Sequence, residues 1–414
     1  MSPAARPRRA LVLSGGGARG AYEAGVLQYL FDELPKELGH PPRIDIVTGT
    51  SVGAIHACFV AATAHLERHR SARLRRVWQK LQGDVVLGSP ARELTRLPRR
   101  LLGAFRAPRA LASGTTPDRL YGLLDTQRLE ELVAQGIPWS RIPANLREGR
   151  LEALSVAATE VATGRTVVFV ETADVEGEPR WTLDPSMVAR PAHIRLEHAL
   201  ASAAIPVLFP TVRVDASYYV DGGLRLNTPL SPALRLGADR ILVVALRGGA
   251  TGGHEGDAEA LRVERFGNPL FLFGKVLNAL LLDHVETDLA HMRLINDMLR
   301  RVRDAGGSDL MRTVNTPVAR ERGQPFKIVD DVVVRPSIDL GELAGDVAHA
   351  SREARSTSGP IRMLLGVLGL EGSALEADLL SYLYFDAAYT VPLMELGRAD
   401  AAAMKEELVR FFAE

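Results

Sequence analysis

Ile44-Asp45-Ile46-Val47-Thr48-Gly49-Thr50-Ser51-Val52-Gly53 is an apolar run that breaks at a glycine, presents a serine and re-enters an apolar stretch. Ile44–Thr48 reads as a buried strand. From Val52 to Arg70 the apolar residues Ile55, Phe59, Ala62 and Leu66 recur at helical spacing. A serine between a strand and a helix, flanked by Gly49 and Gly53, has the context of a nucleophile elbow. The strained turn pushes the hydroxyl out of the sheet edge, and the glycines keep side chains away from the neighbouring strand and helix. Five residues of the form G-x-S-x-G are a weak signal alone; the strand-to-helix setting is what raises it.

Upstream lies a second glycine turn in the same kind of setting. The apolar run Ala10–Ser14 is followed by Gly15-Gly16-Gly17-Ala18-Arg19-Gly20, and then Tyr22, Val26, Leu27, Leu30, Phe31 and Leu34 recur at helical spacing. Glycines there let several backbone N–H groups converge beside a helix N-terminus, which makes an anion site. Alone, the run fits either a dinucleotide cradle or an oxyanion hole. The second glycine turn favours the oxyanion hole. A dinucleotide fold wants an acid closing the second strand, whereas here Asp45 falls inside the expected strand and the strand closes on the serine. Strand, turn, helix, strand, turn, helix predicts a parallel sheet covered by helices.

A serine needs a base. His56 and His65 follow Ser51 too closely in sequence to fold back onto it, which leaves His198 as a reserve candidate among the histidines. Asp221, in Tyr219-Val220-Asp221-Gly222-Gly223 after the β-prone run Val212–Val220, sits where a carboxylate would be exposed at a strand end. On these residues alone an ordinary Asp-Gly-Gly turn is the commoner reading.

Bulk properties bound the function. The 414 residues are 46% hydrophobic and carry no net charge, so nothing global suggests a nucleic-acid partner. The single cysteine, Cys58, cannot support a disulfide framework and reads as a packed small residue in a reducing compartment. No cluster of His, Cys or carboxylates has metal-ligand spacing, so no metal or other cofactor is expected. The basic N-terminus precedes an apolar run too short for a signal peptide, and no stretch has the length of a membrane span. The expectation is a cytoplasmic protein that visits the inner membrane surface without crossing it. Residues 65–110 support the visit, because eleven arginines and Lys80 stand there against Glu67, Asp84 and Glu93. A solvated helix face followed by an arginine-rich loop explains them equally well.

Elsewhere, Thr126–Gln135 reads as a helix, Ala153–Thr159 and Thr166–Glu171 as a hairpin, and Ile241–Leu246 as another buried strand. Proline-rich 83–117 reads as an irregular excursion and Thr251–Gly256 as a linker. Leu270–Val302 carries a long amphipathic repeat, and Met363–Glu414 two or three further helices. The apolar stretch Pro269–Leu282 suits core best, with a lid, a pocket wall or a homo-oligomer contact through 269–299 as alternatives.

Taken together, the motifs at 15–20, 49–53 and 221–223, with Ala201-Ser202-Ala203-Ala204-Ile205-Pro206 between them, resemble the patatin-like phospholipases in order and spacing. The resemblance is strong from residue 9 to about 247, and Ser381–Thr390 resembles the end of bacterial members. It implies a three-layer αβα fold with a central, mostly parallel sheet in a catalytic domain of residues 9–250. A mainly helical region, 251–414, would pack on it or cap it. It also implies a Ser51–Asp221 dyad without a catalytic histidine. Gly15, Gly16 and Gly17 would supply the oxyanion hole, Arg19 would hold that loop, and Gly20, Gly49, Gly53, Gly222 and Gly223 would complete the motifs. The substrate would be a lipid ester. A thioester or storage polyester is the neighbouring alternative, and a nucleotide bound at Gly15–Gly20 the remote one.

Overall fold

Nine strands form one sheet in the computed structural model, which describes residues 6–81, 118–119, 122, 126–174, 181, 185–248, 285–353 and 380–413. They are β1 (Arg9–Leu13), β2 (Ile46–Thr50), β3 (Ala153–Glu160), β4 (Thr166–Thr172), β5 (Met187–Pro191), β6 (Val212–Val214), β7 (Ser217–Asp221), β8 (Arg240–Val244) and β9 (Asp330–Val334). The order is β5-β4-β3-β2-β1-β8-β9, and β7 pairs with both β3 and β6. From β3 through β9 the neighbours are parallel; β4 and β7 run antiparallel to β3. The 153–159/166–171 hairpin forms as expected, with Thr159 opposite Thr166.

Both faces of the central strands are buried, so β1 and β8 read as near-continuous apolar runs after their leading arginines instead of alternating ones. Leu11, Leu13, Val47, Leu242 and Val244 point into the larger core. Helices Gly20–Gln28, Val52–Ala62, Leu196–Ser202 and Ala387–Ala403 share that core. Ala10, Val12, Ile46, Ile241 and Val243 point the other way, against helices Leu230–Arg235 and Val285–Asp304. The result is the helix–sheet–helix layering expected from the resemblance.

Several local expectations need correcting. The helix after Ser51 ends at Ala62 instead of Arg70. Arg70 folds back, donating from Nε to Thr63 Oγ1 (3.0 Å) and from Nη2 to the Val60 carbonyl, which satisfies the open end of the helix. Asp45 lies just before β2 instead of within it, and the strand extends to Thr50. The region beyond 251 is helical among its described residues, but it also supplies β9, which continues the sheet beside β8. Of the amphipathic repeat, helix Val285–Asp304 is described. Val285, Leu289 and Met292 on it are buried, and Leu294 and Met298 are each 59% exposed. The excursion at 83–117, the linker at 251–256, the apolar stretch 269–282 and residues 363–379 lie outside the described residues. No described helix is long and apolar enough to cross a membrane.

Candidate active site

The C-terminal ends of the parallel strands carry the site, as elementary α/β topology leads one to expect. At the end of β2 the chain turns abruptly, and Ser51 adopts φ 55°, a region that non-glycine residues rarely occupy. The flanking glycines are required by contact. A Cβ on Gly49 would lie 2.2 Å from the Gly53 carbonyl oxygen, and one on Gly53 would lie 2.4 Å from that of Leu13. The strained turn is braced by Ser202, which accepts the Ser51 N–H (2.8 Å) and donates its own hydroxyl to the Ala157 carbonyl on β3 (2.5 Å).

Asp221 ends β7, and pairing with β3 brings it beside the elbow. Ser51 Oγ donates to Asp221 Oδ2 at 2.7 Å, and Oδ1 accepts the Gly223 N–H at 2.7 Å. The Gly222–Gly223 turn thus presents an amide to the carboxylate. Asp221 is fully buried, and burial pushes its pKa up to about 7 although both hydrogen bonds pull it down. A carboxylate tuned near neutrality and touching a serine hydroxyl has the proton affinity of a general base.

His198, the reserve candidate, is used otherwise. Its Nδ1 accepts the Arg195 N–H (3.1 Å) at the start of helix Leu196–Ser202, its ring meets Phe169 edge-on, and burial lowers its pKa to about 4. His56 is buried and bonded to Glu23 and Trp78. Cys58 is fully buried, and burial raises its pKa, consistent with an unreactive packed thiol.

The first glycine turn lies against the elbow: a Cβ on Gly15 would sit 3.1 Å from Ser51 Cβ. Gly15 does not have a spare donor, however. Its N–H goes to the Asn227 carbonyl (3.0 Å), and its carbonyl accepts from Asn227 Nδ2 (3.1 Å). Gly16 and Gly17 hydrogen-bond through neither N–H among the described residues. Arg19 is buried. It donates from Nε to Ser381 Oγ (2.6 Å) and lies 4.3 Å above the Tyr382 ring, so it ties the loop to a segment 362 residues downstream. Gly17, at φ +55°, is packed so tightly on Tyr382 that a Cβ would lie 2.2 Å from its carbonyl oxygen. Ser202 stands in the Ala201–Pro206 segment that carries the resemblance, but nothing in the sequence assigns it a role, and Asn227 has no signal beyond its place near the Asp221 motif. Their roles depend on contacts across 151 and 212 residues.

A family model described as patatin-like phospholipase matches residues 11–234, just over half of the chain. A "cGAMP-activated phospholipase" of Pseudomonas aeruginosa is 32% identical over 221 residues. The match covers 53% of this chain and 53% of that protein, so the chain spans about half the length of this curated relative. Among solved structures, VipD from Legionella pneumophila aligns over 94% of this chain and 67% of its own, at 13% identity and a TM-score of 0.30, too distant to inform the site. On the family match, which runs through both glycine turns and the Asp221 turn, the chain belongs to the patatin-like phospholipase family.

Proposed function

We propose that this protein is a serine acyl hydrolase that cleaves carboxylic esters of lipids through a Ser51–Asp221 dyad. The observation that carries the reading is the 2.7 Å hydrogen bond from Ser51 Oγ to a buried carboxylate whose pKa is pushed up to about 7. Asp221 would take the serine proton as Oγ attacks the ester carbonyl, and would return it to the leaving alcohol; water then repeats the cycle on the acyl-enzyme. The N–H groups of Gly16 and Gly17 would stabilise the oxyanion. Gly15 would contribute by holding the loop, since its own N–H is spent on Asn227.

The described part of the basic stretch gives some support to docking on anionic lipid. Arg75, Arg76 and Lys80 are exposed on helix Ala72–Lys80 and have no acidic partner among the described residues. Such charges contribute about 1 kcal/mol each near an anionic surface. Arg70 is excluded from that role because it is buried under the preceding helix end.

The test is a panel of phospholipids, lysophospholipids, thioesters and p-nitrophenyl esters, run on wild type and Ser51→Ala with a fluorophosphonate label. Hydrolysis and labelling that both survive Ser51→Ala would overturn the dyad. Vesicle binding that does not rise with anionic lipid content removes the docking surface. The relative's name adds an arm with and without cGAMP; stimulation would extend that relative's regulation to this chain.

A further inference from the structure

Three buried side chains outside the dyad form a continuous hydrogen-bonded chain that ends on the glycine loop. Trp78 Nε1–H donates to His56 Nε2 (3.0 Å), and His56 Nδ1 meets Glu23 Oε2 (2.8 Å). Glu23 Oε1 accepts the Ser14 N–H (2.7 Å). Trp78, His56 and Glu23 are 3%, 1% and 0% exposed. An indole N–H only donates, so His56 Nε2 carries no proton and the ring proton sits on Nδ1, donated to Glu23. Both Glu23 oxygens therefore accept, and the imidazole is neutral; burial lowers its pKa to about 3.

The placement of these groups is informative. Glu23 stands in the first turn of the helix that leaves the loop and reaches back to the residue that enters it, so Ser14 and Glu23 bracket Gly15–Gly20. His56 sits on the nucleophile helix, a little over one turn beyond Ser51. Asn227 fixes Gly15 at both its N–H and its carbonyl. What remains between the clamps is Gly16 and Gly17, the proposed oxyanion donors. Oxyanion stabilisation depends on donors held where charge develops, and small misplacements are costly. A buried acid wedged between the loop and the nucleophile helix suits that task, since each of its oxygens serves a different element.

We propose that Trp78, His56 and Glu23 are positioning residues that hold the Gly16–Gly17 donors in register with Ser51. The proposal rests on the acyl-hydrolase reading of the site.

The test uses the full chain as Glu23→Gln, Trp78→Phe, the double variant and Ser51→Ala. Two readouts are taken: steady-state hydrolysis of p-nitrophenyl butyrate normalised to fluorophosphonate-titrated sites, and amide hydrogen exchange over residues 14–20. In Glu23→Gln the new amide N–H group faces the His56 Nδ1–H. Moving the ring proton to Nε2 only sets it against the Trp78 N–H. We expect kcat to fall about tenfold or more with KM within about twofold, and exchange in the loop to quicken. Trp78→Phe removes the second obstruction, so the double variant regains at least about threefold of the kcat lost in Glu23→Gln. A chain that is only structural predicts the reverse: unchanged kcat per titrated site, or losses that add in the double variant. Either result overturns the proposal. If Glu23→Gln does not fold, Glu23→Asp keeps the charge but withdraws the oxygens, and the same loss of kcat at constant KM is expected. Unimpaired hydrolysis in Ser51→Ala would instead defeat the reading of the site. Loop exchange would still decide the clamp, with unchanged exchange in Glu23→Gln counting against it.

Discussion

Two fully buried aspartates lie at opposite ends of the parallel strands and are treated in opposite ways. At the N-terminal end, Asp45 accepts from Arg6 Nη2 (2.7 Å), Arg43 Nε (2.9 Å) and the Arg9 backbone N–H (2.9 Å). Two guanidinium groups neutralise it, and its work is to fasten β1 to the approach to β2. At the C-terminal end, Asp221 receives one hydroxyl and one amide and, among the described residues, no cation. The same side chain is a structural anion when matched by positive charge and a proton acceptor when only neutral donors meet it. Burial does not distinguish the two; the charge of their partners does.

That contrast can be broken by experiment. The largest effect is expected from Ser51→Ala and Asp221→Asn, each cutting ester turnover by roughly a thousandfold or more. Asp221→Asn should do so without destabilising the fold. Because burial raises the folded pKa from 3.8 to about 7, the stability linked to the proton is present below about pH 4 and lost as pH rises through about 7. The permanently neutral asparagine escapes that loss, so above pH 8 the variant melts at or above wild type. A variant that melts well below wild type there would show that Asp221 is a charge-paired strut like Asp45.

Next in size is the pH profile. On the dyad proposed above, Asp221 accepts the serine proton only when ionised, so kcat/KM for a neutral ester should rise about tenfold per pH unit up to about 7 and then level. A profile already flat from pH 5 upward would mean that a different group limits the rate. Asp45→Asn is the converse change. It should lower stability by about 1–2 kcal/mol, tempered because Arg6 and Arg43 are 36% and 48% exposed, and should leave kcat of the folded enzyme alone. Of similar size is Ser202→Ala, which strands the Ser51 N–H at about 1–3 kcal/mol. Chemical denaturation reads both. On turnover the smallest effect falls on His198→Ala, which keeps kcat while the lost helix-start hydrogen bond and the emptied site beside Phe169 lower stability by roughly 2–4 kcal/mol; turnover as low as in Asp221→Asn would restore the histidine as base.

Local chemistry made much of this legible in advance. Strands buried on both faces leave unbroken apolar runs, and glycines mark where backbone must approach backbone, so β1, β2 and both turns could be read directly. Asp221 was a different matter: its residues alone favoured an ordinary turn, and only the family resemblance singled it out. What could not be read was set by distance along the chain. Ser202 looks like an ordinary small polar residue until helix Leu196–Ser202 packs beside the elbow, and Asn227 until the segment after β7 folds against it. Gly15 looked like a donor because nothing local reveals that Asn227 takes its N–H. Arg70 looked like the end of a long helix because apolar spacing runs on through Leu66, while the return of its guanidinium to Val60 and Thr63 is a tertiary event. β9 joins the sheet from a region whose periodicity is otherwise helical.

The grip of Ser381 and Tyr382 on Arg19 and Gly17 also sets an order of events during synthesis. At about 5–20 residues per second, the stretch from Asp221 to Ser381 takes the ribosome roughly ten to thirty seconds to make. Throughout that interval the nascent chain already holds Ser51 and Asp221, yet the glycine loop lacks the segment that seats it. Seating of the glycine loop therefore waits for about 160 residues of synthesis beyond Asp221, so the turn is finished long after the strands on either side of it are made.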